Sequence, residues 1–496
     1  LGKWITTIIA MTGTFMGGAH AKNIDLVNSG YFGFTPLPVS VVSDRYTLLL
    51  SDSPEYVGPE GGVLSAGTLK GLGRIYFYHV NDMVEDHKIA IVLENKSGKQ
   101  NTVTIHRMLK TKPTEDYFAV GRELSKLDLE QPLSSVLGTN PYVTPKEKKK
   151  FKSKQETITL QPHSRQLIFK DLEKVHVKKD DLFSGLVDFT SADEVYARVM
   201  MLPMKVKSLG AAYTAKKLPI DEVRLRGTYT GMLRTLAVNS VYDSSLGGAY
   251  VEVANDREDP FIQGVDEMNH NDAVTDRGNY GVSYDMTLYT KGNEPFRLYF
   301  NPLGGAYSGS FTINTTHSKN KNAKVTTETY QVGGGDVPYL GHQTVLDSMQ
   351  MGSYHGGDTL HIQFMPAGAS NLPIRFLLIP ESLANPQKHQ TIAVNVPKDV
   401  KDILGHPTQG GTQIPVGPVG GKDGDKGTVD TKKSTAESPA KRAETIAHEE
   451  TKKLSDKAAA DVKKEAQLKK AKDEKEELAR KKAEELERAE AERRAA

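Results

Sequence analysis

Ile89-Ala90-Ile91-Val92-Leu93-Glu94-Asn95-Lys96-Ser97-Gly98, followed closely by Thr102-Val103-Thr104-Ile105-His106, is the stretch that decides the fold class. Ile89, Ile91 and Leu93 alternate with Ala90 and Val92, and Val103 and Ile105 alternate with Thr102, Thr104 and His106. A period of two places each set on one face of a strand. Asn95-Lys96-Ser97-Gly98 is turn text, so the stretch predicts a hairpin with one buried face.

Outward from this point the same reading recurs. Upstream, Arg74-Ile75-Tyr76-Phe77-Tyr78-His79-Val80 is apolar or aromatic on both sides, as a central strand between two layers requires. Downstream, Ile158 and Leu160 precede Gln161-Pro162-His163-Ser164, after which Leu167 and Phe169 resume the alternation. Between them, Val120, Leu124 and Leu127 have helical spacing, which predicts a short surface helix over 117–129, ending before Pro132. A second β region spans roughly 223–380. Its core positions by period two are Val251 and Val253; Phe296, Leu298 and Phe300; Phe311 and Ile313; Leu360, Ile362 and Phe364; and Ile374, Phe376 and Leu378. Gly278 and Gly281 are among the glycines expected at turns or where backbones approach closely.

The fold class expected is mainly β: two antiparallel β-sandwich-like domains in series, at 22–210 and 211–397. A single larger barrel or elongated sandwich is the alternative. A chain of 496 residues exceeds what one core normally supports, which favours the division. Lys3, the apolar run from Trp4 to Met16 and Ala19-His20-Ala21 form a charged, apolar and small-x-small series, so residues 1–21 are expected to be a signal peptide. Residues 398–442 are a Gly- and Pro-rich linker by composition. Residues 443–496 are rich in Ala, Lys, Glu and Arg, which predicts a long charged helical tail. Its few large apolar residues are too widely spaced for a coiled-coil seam. No stretch after the leader is long and apolar enough to predict a transmembrane helix.

Cysteine is absent, which excludes disulfides, thiolate nucleophiles and Cys-ligated zinc. A net charge of +2 gives no reason to expect nucleic acid as a partner. The closest histidine pair, His355 and His361, is six apart, so no HExxH helix exists; a GxSxG elbow, a GxxxxGK[ST] loop and a post-strand GxGxxG are also absent. No catalytic residue is assigned. The densest polar constellation lies between Asn255 and Asn279, where Asp256, Asp259, Asp266, Glu267, Asp272 and Asp276 supply hard oxygen ligands around Gly264 and Gly278. Those residue types suit calcium, the one cofactor the sequence suggests, although the spacing differs from an EF-hand and a polar surface loop is the competing reading. Lys148, Lys149, Lys150 and Lys152 form a basic run suited to an anionic polymer, or to a solvated hairpin tip. Tyrosine is abundant and could furnish a platform for carbohydrate, but Tyr76, Tyr78, Tyr280, Tyr284, Tyr299 and Tyr307 mostly occupy strand positions that packing explains.

Several short motifs resemble a poorly characterised family of secreted bacterial envelope proteins found in Firmicutes-like lineages. They are Tyr78-His79-Val80-Asn81, Leu93-Glu94-Asn95-Lys96-Ser97, Tyr117-Phe118-Ala119-Val120-Gly121, Gly278-Asn279-Tyr280-Gly281-Val282, Asn301-Pro302-Leu303-Gly304-Gly305-Ala306-Tyr307 and Ser370-Asn371-Leu372-Pro373-Ile374. The resemblance implies an exported envelope protein and carries over no catalytic residues. Two functions are therefore expected. The first is an exported, non-enzymatic binding or structural protein whose tail is a spacer or tether and whose partners are wall or envelope polymers or glycans. The second is a secreted carbohydrate-binding or carbohydrate-active protein that uses calcium.

Overall fold

A computed structural model describes residues 33–384, apart from 60, 141–145, 147–148, 150–154, 318–324, 335–336 and 343. These residues belong to the first of two units of the chain, 1–425 and 426–496. The expected signal peptide, linker and tail lie outside the described residues. Among the described residues no helix is long and apolar enough to cross a membrane.

Two strands of unusual length form the spine. Gly62–Asn81 has 20 residues and Leu182–Pro203 has 22, and they pair antiparallel from Leu182 opposite Val80 to Met201 opposite Gly62. A typical strand has about five or six residues. Register shifts between Ser191 and Val195 and between Val199 and Met200 divide the ladder. At the first shift the neighbour on the far flank changes: Gly185 to Ser191 pair with Asn101–Lys110, whereas Tyr196 to Pro203 pair with His87–Glu94. The expected hairpin is therefore corrected. His87–Glu94 and Asn101–Lys110 lie end to end along one partner instead of pairing with each other, and residues 95–100 are a break between them. Two asparagines satisfy the backbone there. Asn95 Nδ2 donates to the carbonyls of Lys99, Leu160 and Gln161, and Asn101 Nδ2 donates to Ser191 Oγ and to the carbonyls of Asp193 and Glu194. The next line outward repeats the pattern, with Glu156–Leu160 and Arg165–Ile168 either side of Gln161-Pro162-His163-Ser164.

The resulting eleven-stranded sheet carries a core built almost wholly from its own strands. Ile75, Phe77, Phe183 and Phe189 from one half of the spine join Leu64, Leu69, Val195, Val199 and Met201 from the other. The opposite face supplies Leu48, Leu50, Tyr76, Tyr78 and Leu186 to a second, larger core. That core also contains Tyr229, Val251, Phe296, Phe300, Phe311, Ile362 and Phe376, so the period-two positions read from the second region are buried as expected.

Strand exchange crosses the 210/211 position, so the two β regions share sheets. Val39–Ser43 pairs with Leu233–Val238, and Thr35–Pro36 pairs with Ala249 and Tyr250, which adds the first strands of the described residues to the seven- and five-stranded sheets. In return, Arg226–Thr230 joins the eleven-stranded sheet beside Thr47–Ser51, followed by Ile262–Asp266 and Asp272–Asp276. Thr47–Ser51 runs parallel to residues 73–77, because the intervening chain includes the first half of the long strand and thus provides the crossover a parallel pair needs. The sheets are accordingly mixed, where purely antiparallel ones were expected.

The helix Tyr117–Glu130 forms where its spacing predicts, capped by Asp116, whose side chain accepts the Ala119 N–H. Its expected place on the surface is corrected. Tyr117, Val120 and Leu124 are buried, and Ser125 Oγ accepts the Ser310 N–H and donates to the Met365 carbonyl. A side chain at Gly121 would collide with the main chain of Gly368.

Candidate functional site

The acidic stretch resolves into separate local roles. Asp259 is buried, receives Arg234 Nη1 and accepts the Ala254 N–H at 2.6 Å. Asp266, also buried, accepts Arg226 Nε and Nη2 at 2.9 and 2.7 Å. Glu267 accepts the Thr68 N–H and hydroxyl at 2.5 and 2.9 Å, and Asp256 accepts the Phe261 N–H at 3.2 Å. Asp272 is exposed and meets Arg224 and Asn269. Among the described residues no three Asp, Glu or His side chains converge as a metal ligand set. Of the basic run, Lys149 is exposed, while Lys148, Lys150 and Lys152 lie outside the described residues.

Asp276 differs from the other five. It ends the strand Asp272–Asp276, is 0% exposed, and neither carboxylate oxygen reaches a hydrogen-bond partner. Burial drives its pKa well above the ordinary carboxylate value; the nearby Tyr280 main-chain N–H and the charge of Arg234 only moderate the rise. The negative charges of Asp276 and Asp52 bear on three phenols, Tyr76, Tyr229 and Tyr280. Burial first, and these carboxylates second, push all three phenols above their usual range. Tyr76 and Tyr229 are fully enclosed, and the Tyr229 hydroxyl also lacks a partner. Asp52, Glu55 and Tyr280 are half-buried.

Glycines seat each ring. A Cβ at Gly264 would lie 2.7 Å from Tyr229 Cδ1, one at Gly278 would lie 2.5 Å from Tyr280 Cε2, and one at Gly281 would lie 3.2 Å from Tyr76 Cγ. Gly278 and Gly281 also hold positive φ, at 146° and 75°, which closes the turn after Asp276. Asn279 pins that turn: its Oδ1 accepts the Ile262 N–H at 2.9 Å and its Nδ2 donates to Tyr284 Oη at 2.6 Å. Tyr280 Oη donates to the Ser370 carbonyl at 2.6 Å.

Two buried networks hold the flanks. Arg74 donates through Nε to Asp188 at 2.7 Å and through Nη1 to the Gly281 carbonyl at 2.7 Å and Ser283 Oγ at 2.9 Å. Arg107 bridges Asp188 and Asp128, at 2.5 Å each. Burial pushes the Asp188 carboxyl up, but the charges of Arg107 and Arg74 overcome it and hold the group below its usual value. On the other flank, Ser51 Oγ meets His79 Nε2 at 2.8 Å while His79 Nδ1 meets the Pro54 carbonyl at 2.8 Å. Burial lowers the His79 pKa to about 4. The neutral ring therefore donates from Nδ1 to Pro54 and accepts the Ser51 hydroxyl at Nε2. Ser51 and His79 are both 0% exposed, so this pair shapes the loop that carries Asp52 and faces no solvent. Asp221 completes the loop, accepting from Ser53 Oγ and the Glu55 N–H.

Asp276 stands out in the sequence only as one of six acidic candidates, and nothing local separates it from its neighbours. Tyr76 and Tyr280 read there as packed aromatics. Asp52, Tyr229 and the two arginines that neutralise Asp259 and Asp266 were missed. The signal that could have found the pairing was Arg226 and Arg234, charged residues within otherwise strand-forming text.

No family model matches this chain, and no curated protein matches it. Among solved structures, vicilin from Corylus avellana (hazelnut) aligns over 74% of this chain and 92% of its own, at 8% identity and a TM-score of 0.09, a likeness that carries no argument.

Proposed function

We propose that this is an exported, non-enzymatic binding protein of the cell envelope or extracellular space, and that its β body captures a small polar ligand at Asp52, Tyr76, Tyr229, Asp276 and Tyr280. The observation that supports this most is Asp276. A buried polar group normally has a hydrogen-bond partner, and leaving one unsatisfied costs about 1–3 kcal/mol. Here the carboxylate ends a strand immediately before the turn whose glycines seat Tyr280 and Tyr76, and both its oxygens lack a partner. Among the described residues other buried side chains also carry an unpartnered polar atom, Tyr229 and Arg234 among them, but Asp276 is the one carboxylate with both oxygens unpartnered. Residues 398–442 and 443–496 serve in this proposal as linker and as spacer or tether.

Ligand-dependent thermal stabilisation of the full chain, screened over polar metabolites, sugars and organic cations, tests the reading. Compounds that stabilise the wild type and leave Asp276→Asn unaffected are the expected result. A screen in which the two respond identically would remove the assignment of the site. Cell fractionation tests export, and a leader left uncleaved in the cytosol contradicts it.

A further inference from the structure

We infer that the segment around the helix Ser208–Thr214 docks this protein on an anionic lipid surface, with Val206, Leu209 and Tyr213 entering the headgroup region and Lys205, Lys207 and Lys217 pairing with lipid phosphates. The surface shares no residue with the Asp276 cluster, and the inference is independent of ligand capture there.

The helix turns small residues inward and large apolar ones outward. Ser208, Ala211 and Ala212 are buried, the two alanines in a cluster with Ala90, Val92, Met200 and Leu202 of the eleven-stranded sheet. Ser208 Oγ donates to Glu173. Small residues at these positions let the helix lie close on the sheet, and their packing fixes its rotation. Leu209 and Tyr213, four apart and so neighbours on a helix, are thereby directed to solvent, 42% and 66% exposed. Val206, in the turn just before, is exposed as well. A surface helix ordinarily points its large apolar side chains at the core and its polar ones at water. Here the arrangement is reversed.

Tyr213 is also held in place. The Arg165 guanidinium lies 3.7 Å from the centre of its ring, and Arg165 is itself tied to Glu94 at 2.8 Å and to the Ala212 carbonyl at 3.3 Å. A ring stacked on a fixed cation keeps its orientation, so little freedom is lost when it meets a surface.

Charge selects the partner. From Val195 to Ile220 the chain contains no Asp or Glu but has five basic residues, Arg198, Lys205, Lys207, Lys216 and Lys217. Lys205, Lys207 and Lys217 are exposed and bracket the helix. Glu94 and Glu173, the acids in contact with Arg165 and Ser208, are already matched: Glu94 accepts Arg165 and Arg198 at 2.8 and 2.6 Å, and Glu173 meets Lys88 at 2.9 Å. Apolar tips within a lysine bracket suit an anionic bilayer, where lysines meet phosphates while apolar and tyrosyl side chains enter the headgroup boundary. A soluble polyanion would use the lysines and leave Val206 and Leu209 in water. A protein partner is the poorer match because lysine is depleted from such interfaces, and a second copy would bring the same lysines face to face. Among the described residues no helix is long and apolar enough to cross a membrane, so the contact proposed is one that lies on the surface.

Co-sedimentation of the full-length chain with vesicles tests this, using phosphatidylcholine alone and an equal mixture of phosphatidylcholine and phosphatidylglycerol, with soluble polyphosphate as competitor. Residues outside this segment are the same in every variant, so differences between variants report the segment alone. The expected result is binding to the anionic vesicles that weakens with salt, and that falls about tenfold or more in Leu209→Gln/Tyr213→Ser and in Lys205→Gln/Lys207→Gln. All four side chains are exposed, so the variants keep the packed face of the helix. Leu209→Trp adds a direct readout: its fluorescence should shift to the blue on anionic vesicles beyond any change in the wild type, whose one tryptophan is Trp4. Vesicle binding equal to the wild type in both double variants would overturn the inference, as would a wild type that binds neither vesicle. Binding that polyphosphate abolishes and that only the lysine variant loses, with no blue shift, would overturn it in favour of a soluble polyanion. Self-association of the wild type that Leu209→Gln/Tyr213→Ser abolishes, without vesicle binding, would overturn it in favour of a contact between copies.

Discussion

Arg74 Nη1 donates to the main-chain carbonyl of Gly281 at 2.7 Å, joining the central long strand to a turn 207 positions later in the sequence. Tyr76 lies two residues along the same strand, and its ring packs where a side chain at Gly281 would stand. The buried ion network thus sets the separation between one phenol of the cluster and the turn that follows Asp276.

Replacing Arg74 should be costly for that reason. Arg74→Leu leaves part of the Asp188 charge uncompensated and frees the Gly281 carbonyl, so a loss of about 3–5 kcal/mol is expected in urea unfolding. Arg74→Lys should recover little of this, because a single ammonium cannot reproduce the fork shared by Asp188, Gly281 and Ser283. A lysine variant as stable as the wild type would contradict this role.

Glycine substitutions separate seats from spacers. Gly264→Ala meets Tyr229 and the Thr228 carbonyl, and should destabilise by about 1–3 kcal/mol through overpacking. Gly210, exposed within the helix Ser208–Thr214, has no heavy atom within 4 Å of an added Cβ, so Gly210→Ala should stabilise by about 0.5–1 kcal/mol. Thermal melts of the two variants should therefore shift in opposite directions.

His79 predicts an acid limb. Its pKa falls from the ordinary 6.5 to about 4 on folding, because burial opposes the charged ring. Below about pH 6.5 the unfolded chain takes up a proton that the folded chain refuses, so stability is lost as pH falls toward 4. His79→Gln should lower stability at neutral pH and flatten this slope. An unchanged slope would show that other groups set it.

Asp44 acts in the opposite sense. Burial raises its carboxyl to about 6, although the N–H groups of Tyr46 and Leu233 pull it down. Between the ordinary value of 3.8 and about 6 the unfolded chain releases a proton that the folded chain retains, so this group withdraws stability as pH rises through that window. Asp44→Asn removes that component. Melting temperatures measured across the same window should then rise more with pH, or fall less, than those of the wild type.

The apolar positions at period two were legible because a strand's alternate faces are encoded locally; Phe296, Leu298 and Phe300, like Leu360, Ile362 and Phe364, are buried as their spacing predicts. Pairing was not legible. Asn95-Lys96-Ser97-Gly98 reads the same whether the chain reverses or only breaks, and the choice is made by Leu182–Pro203, about a hundred residues away. The shared core was hidden for a similar reason, since nothing local tells Val39–Ser43 to pair with Leu233–Val238. Within the acidic stretch, Asp259 and Asp276 are the same residue type in similar text. Arg234 reaches one and leaves the other unpaired, and that distinction exists only in three dimensions.

The most direct measurement is the titration of the Asp276 carboxyl itself, followed by carbon-13 NMR of aspartate-labelled full-length protein and assigned with Asp276→Asn. The expected outcome is a carboxyl that keeps its proton after ordinary carboxylates have ionised, and whose titration shifts when a ligand of the site is added. An Asp276 that titrates with the ordinary carboxylates and ignores every ligand would contradict the proposed site.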